Sequence, residues 1–237
     1  MTEVKKEASG HPVLSGKADI EKEPILASLI LFSGKIGKYN VEKLIPTGIA
    51  LELLELAVEE HYAFDEEKKK AAKEKAKSTK KDEDFTANLS LITGDFYYSR
   101  AIMLVAGLKD VFVIRVLAES IASIAEAITY PVATREGKSK EVVAGYVEWI
   151  KKIVSLYDAA CYLGGYLSGA PENKINTLRE FGKNLGGVLY ASQYLNKEEI
   201  DSNIKEGVSL YFIGEVKKSL EEIAKLGFEI EAIPGIS

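Results

Sequence analysis

The stretch Leu89 to Ala127, LSLITGDFYYSRAIMLVAGLKDVFVIRVLAESIASIAEA, constrains the fold most. Its first half is apolar nearly all the way round a helical wheel, through Leu91, Ile92, Phe96, Tyr97, Ile102, Met103, Leu104 and Val105. Such a helix is normally buried on several sides or shared with a partner chain. Gly107 and Asp110 predict a turn, and Val111, Ile114, Leu117, Ala118, Ile121, Ile124 and Ile128 then recur at helical spacing. A second helix packing back on the first is the expectation. Asp95, beside Gly94, is the exception among these apolar residues, as either a paired structural group or part of a site.

Periodicity elsewhere is also helical. Pro24 predicts the start of a short helix that Ser33 to Gly37 ends, and Asn40 is a candidate cap for the next. That helix carries Leu44, Leu51, Leu54, Val58, His61 and Phe64 on one stripe, with Pro46 expected to kink it or reset its start. One long helix is expected from Tyr146 through Gly164, another from about Glu172, and a last one near Glu198 to Leu226. Its buried residues should be Ile204, Tyr211, Phe212, Val216, Leu220 and Ile223, and Gly227 should stop it. No strand alternation of useful length occurs. The fold class is therefore all-α, a helical bundle.

The expected organisation is a polar, partly flexible segment over residues 1–22 and a single helical domain over 23–237, long enough for a substantial core. Between Lys68 and Asp84 the composition changes to eight lysines with no large apolar residue, which predicts a solvated helix end or a mobile loop. A formal charge of −5 and a pI near 5.4 argue against nucleic acid as the main partner. Cys161 is the only cysteine, so an intrachain disulfide and a cysteine-rich metal site are excluded. No apolar run approaches the roughly 20 residues needed to cross a bilayer. With a charged, polar start, the chain reads as cytoplasmic.

The wording GDFYYSRAIMLVAGLKD, from Gly94, resembles the GDYLLARAF segment of the trans-isoprenyl diphosphate synthase family. It is closer still to the non-catalytic first component of two-component heptaprenyl diphosphate synthases. ALELLELAVEEHYAFDEE, from Ala50, is similar to the family's AIELIHTASLIHDDVID helix, with Glu52, Ala57 and His61 at matching positions. YVEWIKKIVSLYDAACYLGGYLSGA, from Tyr146, resembles the helix containing KTAxLF, so that Lys152 matches its lysine and Ile153 replaces the threonine. FGKNLGGVLYASQYLNK, from Phe181, resembles GxxLGxAFQIxDDxxD, and IKEGVSLYF, from Ile204, a trimmed GKxTLP turn. The four helical blocks stand in the family's order, and the resemblance spans residues from about 24 to 213.

The resemblance implies an isoprenoid-synthase bundle in which two aspartate-rich motifs hold magnesium against an allylic diphosphate. Carboxylates at i, i+1 and i+4 share a helical face, and hard oxygen ligands suit that ion. Here the first motif reads Tyr62, Ala63, Phe64, Asp65, Glu66, where only Glu66 keeps an acidic position and Asp65 stands beside it. The second reads Gln193, Tyr194, Leu195, Asn196, Lys197, without a carboxylate. The counterpart of GGKRxRP is Ala18 to Pro24, which puts acids where diphosphate needs arginine. No catalytic residue and no cofactor is therefore expected on this chain alone, and magnesium is expected on a catalytic partner.

Three functions follow as expectations. The first is a non-catalytic subunit of a heteromeric trans-polyprenyl diphosphate synthase, meeting the catalytic subunit through residues 89–128 and lining space for an isoprenoid chain. Ala57 and Val58 would then influence product length, and Lys152 is a candidate diphosphate ligand or a surface group. The second is a self-sufficient prenyltransferase with ligands relocated to Glu59, Glu60, His61, Asp65 and Glu66. The third is a homodimeric lipid-binding scaffold.

Overall fold

In a computed structural model, the described residues are 23–73, 80–129, 139–195 and 200–227, with side chains described except over 65–73, 80–87 and at 139. Among them are eight helices and no strand: α1 Ile25–Gly34, α2 Val41–Lys73, α3 Lys80–Ala106, α4 Val111–Thr129, α5 Ser139–Ile153, α6 Ser155–Leu167, α7 Glu172–Gln193 and α8 Ser202–Lys225. The fold class is the all-α bundle that the periodicity predicts. The helices gather into two compact units, one over Ile49–Asp110 and the other over Ile25–Gly48 with Val111 onward. Residues 1–22 and the middle of the lysine-rich run lie outside the described residues. No described helix is long and apolar enough to cross a membrane.

The second unit is built around α6, which packs on α1, α4 and α7 while α8 packs on α7. From α1 it buries Leu26, Leu29, Ile30 and Phe32, and from α6 Leu156, Ala160, Cys161 and Leu163. Glycines set the spacing between these helices. A Cβ at Gly182 would lie 2.5 Å from the Tyr157 carbonyl oxygen, and one at Gly187 would overlap the Phe212 ring. Close backbone approach of this kind excludes any larger residue.

Local signals account for most helix ends. The Asn40 side chain accepts the Lys43 N–H at 3.3 Å and caps α2 as expected. Pro46 does not reset the start; it falls six residues in, and the helix continues to Lys73. Asp201 caps α8 by accepting the Asn203 N–H at 2.8 Å, so that helix starts later than Glu198. Gly227, at φ +86°, stops it as expected. At the end of α3 the left-handed residue is Lys109, at φ 54°, rather than Gly107.

Three expectations need correction. The helix expected to run unbroken from Tyr146 to Gly164 is interrupted at Val154, between α5 and α6. There the Ser155 hydroxyl donates back to the Lys152 carbonyl, the kind of local bond that competes with the helical ladder. On α4 the buried residues are Val113, Val116, Leu117, Ser120, Ile124 and Ala127, and Val111 is 78 % exposed. The buried face is thus turned by about one residue from the largest side chains. Ser120 can be buried because it donates to the Val116 carbonyl at 2.9 Å. On α8, Val208 and Ser219 are buried, whereas Tyr211 faces out with the Lys151 ammonium 5.5 Å from its ring centre.

Within the first unit, α3 inverts the usual pattern. It buries Ser90, Thr93, Gly94, Tyr97, Ala101 and Val105. It exposes Leu91, Ile92, Tyr98 and Met103, Ile92 at 62 % and Met103 at 64 %. Thr93 is satisfied by donating to the Leu89 carbonyl at 2.7 Å.

Candidate functional site

The first motif lies on α2. Ala57 is 3 % exposed, Val58 and Ala63 are half-buried, and Tyr62 faces outward. Asp65 and Glu66 belong to the same helix, but their side chains lie outside the described residues. Glu59, Glu60 and Tyr62 each have interaction partners. Burial raises the Tyr97 phenol above its ordinary range, and the charge of Glu60 adds to this. The reason that α2 and α3 lie so close is Gly94, where any Cβ would overlap the His61 ring. His61 Nε2 is then 3.3 Å from Asp95 Oδ1. Nε2 is buried and makes no hydrogen bond, so this contact is an ion pair only when the imidazole carries a proton. Asp95, left open by sequence, therefore touches the histidine next to the first motif.

The second motif ends α7 as packing rather than chemistry. Gln193 is exposed, and Tyr194 closes the helix by donating its N–H to the Tyr190 carbonyl at 2.9 Å. The Tyr194 and Tyr190 rings stack with centroids 5.2 Å apart. Tyr190 meets Trp149 edge-on at 5.7 Å, and the Trp149 indole donates to the Ala127 carbonyl at 2.8 Å. Leu195 is 1 % exposed in the core shared with Val147, Ile150, Val208 and Phe212. Lys197 lies outside the described residues. These side chains do not fit a magnesium centre: an exposed amide, a stacked phenol and a core leucine replace hard anionic oxygens. Among the described residues, no three His, Cys, Asp or Glu side chains cluster as metal ligands would.

Lys152 is half-exposed, with its ammonium 3.1 Å from Glu126 Oε1 across α5 and α4. Sequence reasoning missed that pairing and one stronger still. Arg179 on α7 donates to both carboxylate oxygens of Asp158 on α6, from Nε at 2.8 Å and Nη2 at 2.9 Å, and lies 4.2 Å from the Tyr162 ring centre. Asp158 thereby raises the guanidinium pKa, burial opposing it. The pair borders a groove of about 190 Å³ lined also by Glu119, Ser120, Ser123 and Ser155. No spacing rule links residues so far apart in sequence. Burial drives the Cys161 thiol up to about 12, which removes it as a nucleophile.

A decaprenyl diphosphate synthase from Rhodobacter capsulatus superposes with a TM-score of 0.66 at 14% identity, covering 95% of this chain and 85% of that one. The fold is that of the isoprenyl diphosphate synthases. A geranylgeranyl pyrophosphate synthase from Corynebacterium glutamicum, crystallised with calcium and isoprenyl diphosphate, gives 0.65 at 14% identity over 95% of this chain and 83% of that one. The heptaprenyl diphosphate synthase of Staphylococcus aureus gives 0.58 at 14% identity, over 94% and 82%. No protein-family model and no curated protein matches the sequence. On this synthase fold, the end of α7 carries an aromatic stack and a core leucine.

Proposed function

We propose that this chain is a non-catalytic subunit of a heteromeric trans-polyprenyl diphosphate synthase. It would support a catalytic subunit that carries both aspartate motifs and the magnesium ions. The observation that carries the reading is the pairing of a prenyl-synthase fold with Gln193, Tyr194 and Leu195 at the second motif, two of them held by packing. Metals in such a reaction assist departure of diphosphate, and among the described residues there, Gln193, Tyr194 and Leu195 offer no carboxylate to hold one. The outward apolar face of α3 supports the second half of the reading, since a surface of that kind marks an interaction site. Ala57 and Val58 belong to the helix of the first motif, and the half-buried Val58 is the better position for altering product length.

The test is an assay with labelled isopentenyl diphosphate, an allylic diphosphate and magnesium. The chain alone is expected to give no turnover. Added to the catalytic synthase of the same organism, it is expected to change product length, and Val58→Phe should shorten the product further. Turnover by the chain alone that Asp65→Ala abolishes would establish instead a self-sufficient enzyme with relocated ligands.

A further inference from the structure

The loop from α1 into α2, with the first turn of α2, holds three apolar side chains in water: Tyr39, Val41 and Ile45 are 43 %, 47 % and 44 % exposed. Val41 and Ile45 lie one turn apart on one face of α2, and Leu44 beside them is fully buried, so the turn cannot roll to hide them. Lys35, Lys38 and Lys43 are exposed among them, against one acid, Glu42. Lys151, Lys152, Lys218 and Lys225 each stand within ion-pair distance of a carboxylate, whereas among the described residues these three do not. The loop is also pinned: the Lys38 N–H donates to the Ser168 carbonyl at 2.7 Å, and a Cβ at Gly37 would overlap that same oxygen.

We propose that this patch docks the chain on a bilayer containing anionic lipid, the lysines reaching the phosphate layer and Tyr39, Val41 and Ile45 entering beneath it. The inference does not depend on the subunit reading above. The mixture of side chains decides the occupant. The centre of a protein interface is depleted in lysine, and two copies of this patch would set like charges against each other. A nucleic acid would accept the lysines but leaves Val41 and Ile45 unused, and the formal charge of −5 gives it no wider field. A lipid surface uses both parts. Lysine stems lie along the apolar layer with the ammonium among anionic headgroups, and tyrosine settles at the same boundary. Attachment of this kind is peripheral, and no described helix is long and apolar enough to cross.

Flotation of the full chain with phosphatidylcholine vesicles, with and without phosphatidylserine, is the test. Binding is expected to be at least about tenfold tighter with phosphatidylserine and to weaken as salt rises, because surface charge is screened. Lys35→Gln, Lys38→Gln and Lys43→Gln together should remove that preference. Tyr39→Ser, Val41→Ser and Ile45→Ser together should weaken binding to the same vesicles by at least about tenfold, with circular dichroism showing that both variants keep their helices. Cys161 is buried, so Ile45→Cys takes a single polarity-sensitive dye, whose emission should shift to the blue on the anionic vesicles. An unshifted emission, or binding that either triple variant leaves unchanged, overturns the proposal and moves attachment elsewhere, the lysine-rich run of residues 68–84 included. Failure to bind either vesicle also overturns it, and a protein complex that the serine variant then loses would assign the patch to a polypeptide partner.

Discussion

Helices α3 and α4 are neighbours in sequence, yet they use their apolar residues in opposite ways. On α4, Val113, Val116, Leu117 and Ile124 are buried, while Arg115, Glu119 and Glu126 face out. On α3, the inward residues are mostly small or hydroxylated and the large aliphatics Ile92 and Met103 face out. Apolar side chains grouped on one exposed face mark an interaction surface, which a single one such as Val111, the first residue of α4 and 78 % exposed, does not. The difference separates a helix completed by its own unit from one whose outer face awaits another surface.

The comparison is broken or sharpened by substitution, beginning with the largest effect. Leu117→Ala on α4 should cost about 2–5 kcal/mol in urea denaturation, because Leu117 is 0% exposed and a cavity remains. Gly94→Ala should cost about 1–3 kcal/mol by driving a methyl into His61 and parting α2 from α3. Ile92→Ser on α3 should change the stability of the isolated chain by less than about 0.5 kcal/mol, despite removing a larger side chain than Gly94→Ala adds. A loss from Ile92→Ser as large as that from Leu117→Ala would show that α3 is completed internally. Smallest of all, Lys152→Ala should stay within about 0.5 kcal/mol, since its bridge to Glu126 is half-exposed and screened.

A pH prediction follows from Cys161. The buried thiol holds its proton to about 12, whereas the unfolded thiol releases it near its ordinary 9.0. The folded state thus binds more protons over that window, and stability should fall as pH rises from 9.0 toward 12. Denaturant midpoints for the wild type and Cys161→Ala, compared at pH 8 and above that range's lower end, isolate the contribution. At pH 8 the native thiol should resist a disulfide reagent that labels the unfolded chain.

That the elements are helices was legible because a 3.6-residue period needs no tertiary information. So were Asn40 as a cap and Gly227 as a stop. The orientation of α4 was not, because burial followed the small Ser120 and Ala127, which allow close packing, rather than Val111 and Ala118. The break at Val154 depends on a hydroxyl competing for one carbonyl, which composition does not reveal. At the candidate site, that Gln193 and Tyr194 are not carboxylates could be read from the sequence. That Leu195 is a core anchor and that Asp158 is held by Arg179 was not, since both depend on contacts between separate helices.

The most direct measurement is sedimentation velocity on the chain mixed with the catalytic synthase of the same organism, run beside the double variant Ile92→Glu, Met103→Glu. The account predicts a faster-sedimenting complex with the wild type and none with the variant, both chains remaining helical. A variant that binds as the wild type does, or a wild type that leaves the synthase unaltered, would contradict it.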